Sequence, residues 1–440
     1  MRIQFFSHYF PPEVNAPASR TYEHCVRWRR AGHEVKVITC QPNCPTGVVF
    51  TGYSNRLIPE KDFVDGIRVI RVWSYLAANA GIIRRTLNYM TYMVSAILTG
   101  LFGRKPDVIV ATSPQFFCGW AGVIVGLIRR VPVVLEVRDV WPASIAAVGA
   151  MRSQPLLRFL VFLEQLMYRA ATHIVTVGEG YRRHIVGRMG GRHQEKVSVI
   201  TNGVDLSRYR PSAPSEEFLK QHDLTGKFVC SYIGTIGMAH GLDVVLRAAE
   251  ILKAKGRNDI CFCLIGEGAR RARLETMSKH LGVSEWVHFL GLLPKTDVPR
   301  ALASSNVLLV HLQACDLFET VIPSKIFEIM AMQRPIIMGV AGEAYEIVEE
   351  ARAGMPMKPE READLVRIVE LLADNPEIAS ELSEAGRQYV AIEFNRDVLA
   401  RDYLELLQRV TGIESGESQG SQPLDTSRRV ESELPSIDES

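Results

Sequence analysis

Two carboxylates and a lysine stand close together in the run Leu317-Phe318-Glu319-Thr320-Val321-Ile322-Pro323-Ser324-Lys325-Ile326-Phe327-Glu328. Such a set can meet an anion and hydroxyl groups at once. Pro323 suits the opening of a helix, because its φ is fixed and its missing N–H is not needed in the first turn. A helix starting there offers free backbone N–H groups and the positive end of its dipole to an anion, above all a phosphate. Lys325 adds a full charge, and Glu328, about one turn further on, can accept hydrogen bonds from ribose hydroxyls. The pattern points to a bound sugar nucleotide. An ordinary capped helix with surface charges contains the same residues.

Two glycine-bearing stretches offer related chemistry. Ile233-Gly234-Thr235-Ile236-Gly237-Met238-Ala239-His240-Gly241 follows a strand pattern and precedes a helix pattern. Glycines there let the backbone approach a diphosphate, although a plain tight turn needs them too. Leu264-Ile265-Gly266-Glu267-Gly268 is a weaker signal. It lacks the third glycine of the dinucleotide fingerprint and does not sit in the first βαβ unit, which disfavours hydride transfer. Elsewhere Val137-Arg138-Asp139-Val140-Trp141-Pro142 leaves a strand end with a guanidinium, a carboxylate and an indole together. Catalytic or sugar-stacking groups project from such places, and Asp139 as a simple capping residue is the other reading. His8 and Arg20 flank the first loop, His8 being equally at home as a surface histidine.

These groups need elements to hold them. The chain has 440 residues, 47% hydrophobic and 23% charged, as in a soluble globular protein of two or three domains. Arg2–Phe6, a loop, a helix over about 18–30 and a strand over 34–39 read as a βαβ unit. Strands over 67–73, 108–112, 133–137, 173–177 and 197–200 continue the series. A second series begins at Phe228 and continues over 261–265, 287–290, 307–310 and 336–338. Two doubly wound α/β halves that meet near residue 205 predict a cleft between domains, where small ligands prefer to bind. After about residue 413 the composition turns to Ser, Glu, Gly and Pro, which predicts a disordered acidic tail over 413–440.

Charge is uneven along the chain. Residues 1–205 carry 25 Lys and Arg against 13 Asp and Glu, and the remainder 26 against 36. A first half at +12 beside a second at −10 points to anionic partners for the first, such as phosphates, nucleic acid or an anionic membrane. Arginines flank two apolar stretches there, 87–102 after Arg84 and Arg85, and 159–168 between Arg158 and Arg169. Interfacial helices look like this, and so do core helices packed on a sheet. No run reaches the length of a membrane span, and the first residues are too short in apolar length for a signal peptide. The eight cysteines form no Cys-x-x-Cys pair, which disfavours a zinc site and suits a reduced, cytoplasmic compartment.

At this point the residues carry a resemblance. Val197-Ser198-Val199-Ile200-Thr201-Asn202-Gly203-Val204-Asp205 resembles the crossover of retaining glycosyltransferases of family 4, which have the two-domain GT-B fold. Gly234–Gly241, Gly266-Glu267-Gly268, Val287–Gly291 and Pro323–Glu328 fall in that family's order and spacing, so the likeness covers about residues 1–410. The loop His8–Glu13 and the run Glu136–Pro142 are similar to the branch of WbuB-type N-acetyl-L-fucosamine transferases, which serves bacterial O-antigen, capsule and exopolysaccharide assembly. The resemblance implies an acceptor-binding domain over 1–204 and a nucleotide-sugar domain over 205–392. It also implies a helix over 393–412 that packs back on the first domain. It implies a nucleotide-diphospho-sugar donor, UDP-linked, and a lipid-linked acceptor of the polyprenyl diphosphate type. Retention of configuration, no nucleic-acid partner, no tightly bound cofactor or metal, and a place on the inner face of the inner membrane go with these.

The implied donor site comprises Gly234, Thr235, Gly237, Gly266, Glu267, Phe289, Leu290, Val321, Ile322, Ser324, Lys325 and Glu328. Phe289 and Leu290 would lie by the base and Glu328 by the ribose. Lys325 and the Gly234–Gly237 backbone would meet the diphosphate. Arg138, Asp139 and Glu319 would approach the transferred sugar, and His8, Asn15, Arg20 and Trp141 would belong to the acceptor side. Three departures stand out. The family's glutamates are eight positions apart, yet eight before Glu328 stands Thr320, with Glu319 beside it. Met238, Ala239 and His240 replace the usual Arg and Lys after the glycine loop. Asn15-Ala16-Pro17 replaces a glycine pair, which would shift charge neutralisation onto Lys325 with Arg20. An epimerase or hydrolase on the same fold, or a non-catalytic sugar-nucleotide binder, are the rival readings.

Overall fold

Short β-branched runs build two sheets in the computed structural model, which describes residues 1–413 apart from 14, 45, 78–81, 114–115, 143–152 and 192. The tail expected to be disordered lies outside the described residues from 414 on. The first sheet contains Arg2–Phe6 (β1), Glu34–Cys40 (β2), Glu60–Val64 (β3), Ile67–Val72 (β4), Val108–Thr112 (β5), Val133–Val137 (β6), His173–Thr176 (β7) and Val197–Val199 (β8). Its order is β3-β4-β2-β1-β5-β6-β7-β8. The second contains Phe228–Ile233 (β9), Ile260–Ile265 (β10), Val287–Gly291 (β11), Val307–His311 (β12), Ile336–Gly339 (β13) and Gly354–Pro356 (β14), in the order β11-β10-β9-β12-β13-β14. This is the two-domain doubly wound architecture of the GT-B fold.

Every pairing is parallel except β3 with β4. In the centre of the first sheet Phe5 lies opposite Val37 on one side and Val110 on the other. Helices cover both faces of parallel sheets, so inner strands read as unbroken apolar runs and are easy to find. The strands missing from the expectation are the edges. β3 reads Glu-Lys-Asp-Phe-Val and β14 has three residues ending in Pro356. Charge and proline at an edge keep other chains from pairing there, and they also hide the strand's pattern.

The helices Ile82–Leu101, Phe116–Arg129 and Gln154–Ala170 cover one face of the first sheet, where Phe6, Tyr92, Val123 and Met167 share a core. The other face is covered by Ala16–Arg30 and, from the far end of the chain, Arg396–Thr411. Trp28 joins these two: its indole N–H donates to the Ala400 carbonyl at 2.9 Å, and its ring meets Tyr403 edge-on at 5.2 Å. The chain thus crosses between domains twice, side by side. Val204 N–H donates to Phe394 O at 2.9 Å and Arg396 N–H to Val204 O at 3.1 Å. Gly203 is required here, since a Cβ would stand 2.4 Å from the Phe394 carbonyl oxygen.

The two apolar stretches flanked by arginine turn out to have two faces. Tyr92 and Ala96, like Met167 and Tyr168, are buried against the sheet. Val94, Leu98, Phe159 and Phe162 point outward and are 53%, 56%, 56% and 55% exposed. Leu127 and Ile128, at the end of the helix between them, are exposed as well. Among the described residues no helix is long and apolar enough to cross a membrane.

Candidate functional site

The 317–328 run folds as a 3-10 turn over Asp316–Thr320, a short extended link, and the helix Lys325–Ala331. The helix begins two residues after Pro323, with Ser324 at its cap. The Pro323 carbonyl accepts from Ile326 N–H at 3.1 Å. Lys325 lies along β9. Its Nζ sits 3.9 Å from the centre of the Tyr232 ring, and a Cβ on Gly234 would be 2.7 Å from it. Glycine at 234 is what lets the ammonium reach the end of the strand. Burial pushes the Lys325 pKa down to about 8, with the charge of Glu328 opposing the shift. Among the described residues Lys325 has no ion pair within 4.0 Å.

Glu328 faces the seam between domains. Burial raises its pKa, while the Tyr209 hydroxyl, which donates to it, and the cations Arg396, Arg208 and Lys295 favour the carboxylate. A cavity of about 20 Å³, enough for one water, separates Glu328, Lys325 and Ile233. Lys295 reaches across to Ser19 Oγ at 2.9 Å, one of the polar contacts between domains at this seam.

The glycine loops pack on each other. A Cβ at Gly266 would lie 1.9 Å from the Gly234 carbonyl oxygen, and one at Gly268 2.4 Å from that of Ile236. Several N–H groups expected to face a diphosphate are already engaged: Gly234 to Ile265 O at 2.9 Å, Ile236 to Glu267 O at 2.9 Å, and Gly237 to His240 Nδ1 at 3.3 Å. The last bond leaves the neutral imidazole its proton on Nε2, a donor. Burial, followed by the Lys325 charge, pushes His240 down to about 4. A diphosphate placed at this loop would therefore meet Lys325 and a neutral His240 more than a backbone cradle.

The other second-domain candidates are spread around this centre. Glu267 pairs outward with Arg271. Phe289 and Leu290 are half-buried on β11, packed against two different cores. Val321 and Ile322 pack under the turn, and Thr235 is exposed while its carbonyl accepts from the Tyr232 hydroxyl at 2.8 Å. Glu319 is exposed on the 3-10 turn, its backbone covered by Gly342.

The first domain's polar groups are bound to one another. Arg20, expected to lend charge to the cleft, is 5% exposed. Its guanidinium donates to the carbonyls of Thr201 and Ile200 at 2.7 and 2.8 Å and to Asn202 Oδ1 at 3.0 Å, and it lies 3.3 Å from Glu136. Arg20 is therefore a staple between the first helix and the crossover, not a cleft cation. Glu136 is fully buried at the end of β6, with Arg138 on its other side at 3.9 Å. Burial lowers Arg138 to about 10, opposed by Glu136, and its Nη2 donates to Ala16 O at 3.2 Å. Asp139 is half-buried next in sequence.

His8 is no surface histidine. It is 1% exposed and ringed edge-on by Tyr9, Tyr89 and Tyr92 at 4.9, 4.9 and 4.8 Å, and burial lowers its pKa to about 3. Asn15 caps the first helix by accepting from Ala18 N–H at 2.9 Å. Trp141 lies against Phe116 at 4.5 Å, so one ring face is covered. Tyr232, Tyr209 and Glu136 escaped the sequence reading as site residues. Their positions beside Gly234, the crossover and Arg138 were the available signal. Among the described residues no group of three or more His, Cys, Asp or Glu could hold a metal ion.

Comparison with known proteins places this architecture. Residues 15–203 match the family described as glycosyl transferase 4-like domain, and residues 214–389 match glycosyl transferases group 1. The chain is 25% identical over 354 residues to the putative colanic acid biosynthesis glycosyl transferase WcaI of Escherichia coli K12, covering 78% of this chain and 84% of that one. It is 25% identical over 256 residues to the probable glycosyltransferase WbjE of Pseudomonas aeruginosa, 55% of this chain and 60% of that one. The crystal structure of Anabaena HepE in complex with UDP superposes with a TM-score of 0.68 at 18% identity, covering 93% of this chain and all of HepE. With both halves of the chain matched and the fold shared, the protein belongs to the group 1 glycosyltransferases of GT-B fold.

Proposed function

We propose that the protein transfers a sugar from a uridine-diphospho-sugar to a lipid-linked saccharide, with retention, in the assembly of a bacterial surface polysaccharide. The observation that carries this reading is Lys325, a partly desolvated ammonium held against Gly234 with no ion pair within 4.0 Å among the described residues. A cation in that state is poised for an anionic ligand. In the reaction the bond from the anomeric carbon to the phosphate oxygen breaks, and a bond to an acceptor hydroxyl forms on the same face. The hydroxyl proton passes to the departing phosphate oxygen. Negative charge grows on the diphosphate, where Lys325 and His240 Nε2–H meet it in a site shielded from bulk water. Glu328 takes the ribose hydroxyls, Phe289 and Leu290 flank the base, and Asp139, Arg138 and Glu319 adjoin the sugar. The UDP held by HepE and the polysaccharide role in the name of WcaI support the donor and the pathway class. The likeness of the first-domain loops to WbuB-type transferases supports an N-acetylated deoxyhexosamine as the sugar.

The exposed apolar face of the first domain supports the lipid-linked acceptor. Its apolar residues are flanked by Arg84, Arg85, Arg129, Arg130, Arg158 and Arg169, a charge complement to an anionic bilayer on the inner side of the inner membrane. Purified protein incubated with a panel of nucleotide sugars and a bacterial lipid fraction should give glycolipid only with a UDP-sugar. Binding of UDP-sugars without product across that panel would overturn the catalytic reading. Flotation with phosphatidylglycerol vesicles should carry the protein upward and fail for Phe159→Ser with Phe162→Ser. Equal recovery of both in the soluble fraction would remove the membrane part.

A further inference from the structure

Beside the cleft the domains touch at a contact with no part in the reading above. Glu343 opens the helix Glu343–Glu350 just after β13. Its carboxylate crosses to the first domain, where Oε1 accepts the backbone N–H of Glu179 at 2.6 Å and Oε2 that of Gly180 at 3.0 Å. These N–H groups open the helix Glu179–Arg188, whose cap, Gly178, has no side chain to satisfy them. An anion of one domain thus caps a helix of the other, with the helix dipole in its favour.

The fit is close on both sides. A Cβ at Gly178 would lie 2.8 Å from Glu343 Oε1 and 3.1 Å from Ile322 Cδ1. One at Gly180 would lie 3.1 Å from Glu343 Oε2 and 3.2 Å from Thr320 Cγ2. Thr320 and Ile322 belong to the turn that leads into Lys325. Gly342 locks Glu343 to the same turn, since at φ 76° it lies so near the Glu319 backbone that a Cβ would be 2.2 Å from its carbonyl oxygen. On the first-domain side, Tyr181 in the capped helix packs with Val140 and Val177 beside Asp139. Burial, then the charges of Asp139 and Glu343, push its phenol up to about 12.

We propose that Glu343 is a positioning residue that clasps the two domains shut, seating the 179–188 helix and the support of Asp139 against the turn before Lys325. Its effect on turnover rests on the glycosyl-transfer reading. Its effect on domain closure does not.

The test uses the full chain and the variant Glu343→Gln, which keeps the length but sets an amide group against two N–H donors. Small-angle scattering of the unliganded protein should show a larger radius of gyration for the variant, the closed fraction falling about tenfold with the loss of charge-assisted bonds. UDP affinity, read by titration calorimetry, should stay within about twofold, because Lys325, His240 and Glu328 are untouched. Transfer kcat should fall about tenfold with donor KM little changed. A second variant, Gly180→Ala, drives a methyl into the same contact and should open the chain in the same way, at an unchanged thermal midpoint. Scattering curves of both variants that superpose on the wild type would overturn the clasp. If both variants open but no form of the protein binds UDP, the clasp stands and the nucleotide-sugar reading falls.

Discussion

The two faces of the cleft handle their polar residues in opposite ways. On the first domain Arg20, Glu136 and Arg138 stand in a buried row, tied to the crossover carbonyls and to Ala16. On the second, Lys325, His240 and Glu328 sit near one another with pKa values displaced by burial and, among the described residues, no salt bridge within 4.0 Å. Charged side chains hold a scaffold in one place, and in the other they are the groups proposed to meet the donor. A buried charge network gives shape, and breaking it is costly. A partly desolvated cation without a partner gives affinity, and removing it costs binding more than folding.

The sharpest way to break this comparison is to remove a member of the scaffold. Arg20→Ala takes from the buried Glu136 the nearer of its two arginines, leaving Arg138 and the Thr112 hydroxyl beside it, and should destabilise the fold by about 3–5 kcal/mol, read by urea unfolding. UDP affinity of the folded fraction should not change. A large loss of UDP affinity at unchanged stability would put Arg20 in the donor site after all. Next comes Gly266→Ala, whose methyl would collide with the Gly234 carbonyl, 1.9 Å from the ideal Cβ. It should cost about 1–3 kcal/mol as an overpacked contact and weaken UDP binding by displacing the loop that seats Lys325.

Lys325→Ala should lower UDP affinity by about 10- to 100-fold, the range for a lost charge-assisted contact, with the thermal midpoint nearly unchanged. Unaltered UDP binding would end the case for a second-domain anion site. The smallest effect is the dependence on pH. Lys325 is lowered to about 8 in the free protein, so it is charged below that value and neutral above it. A diphosphate favours the charged form, and UDP affinity should therefore fall as pH rises beyond 8, by up to about tenfold per unit. Lys325→Arg, always charged, should flatten that fall.

The difference between the faces also marks where sequence reading stops. The alternation of apolar runs such as Val133–Val137 and Ile260–Ile265 with helical patterns was enough for two doubly wound α/β halves, because buried parallel strands leave a local signature, and the GT-B class came from the resemblance of the crossover and the glycine loops. β3 and β14 left none, being charged or very short edges. Lys325 and Gly234 are 91 positions apart, yet each has a local reason to be noticed, a lysine after a helix-opening proline and a glycine ending a strand. The fate of Arg20 has no local sign. Its partners lie about 180 residues away, and only the fold shows that an arginine in the first loop region turns inward. Glu343 is hidden for the same reason, since the N–H groups it caps belong to residues 163 and 164 positions earlier.

One further consequence concerns the order of synthesis. Leu399, Tyr403, Leu404, Leu406 and Leu407 complete the core on one face of the first sheet, packed with Trp28 and Val37. A growing chain emerges from its first residue onward, and domains tend to fold as they appear. Here the domain begun first is completed last, after the second sheet is already whole. Until residue 407 is available, the face around Trp28 has only the Ala16–Arg30 helix as cover, so a ribosome that stalls just before the second crossing leaves a first domain with one sheet face partly bare.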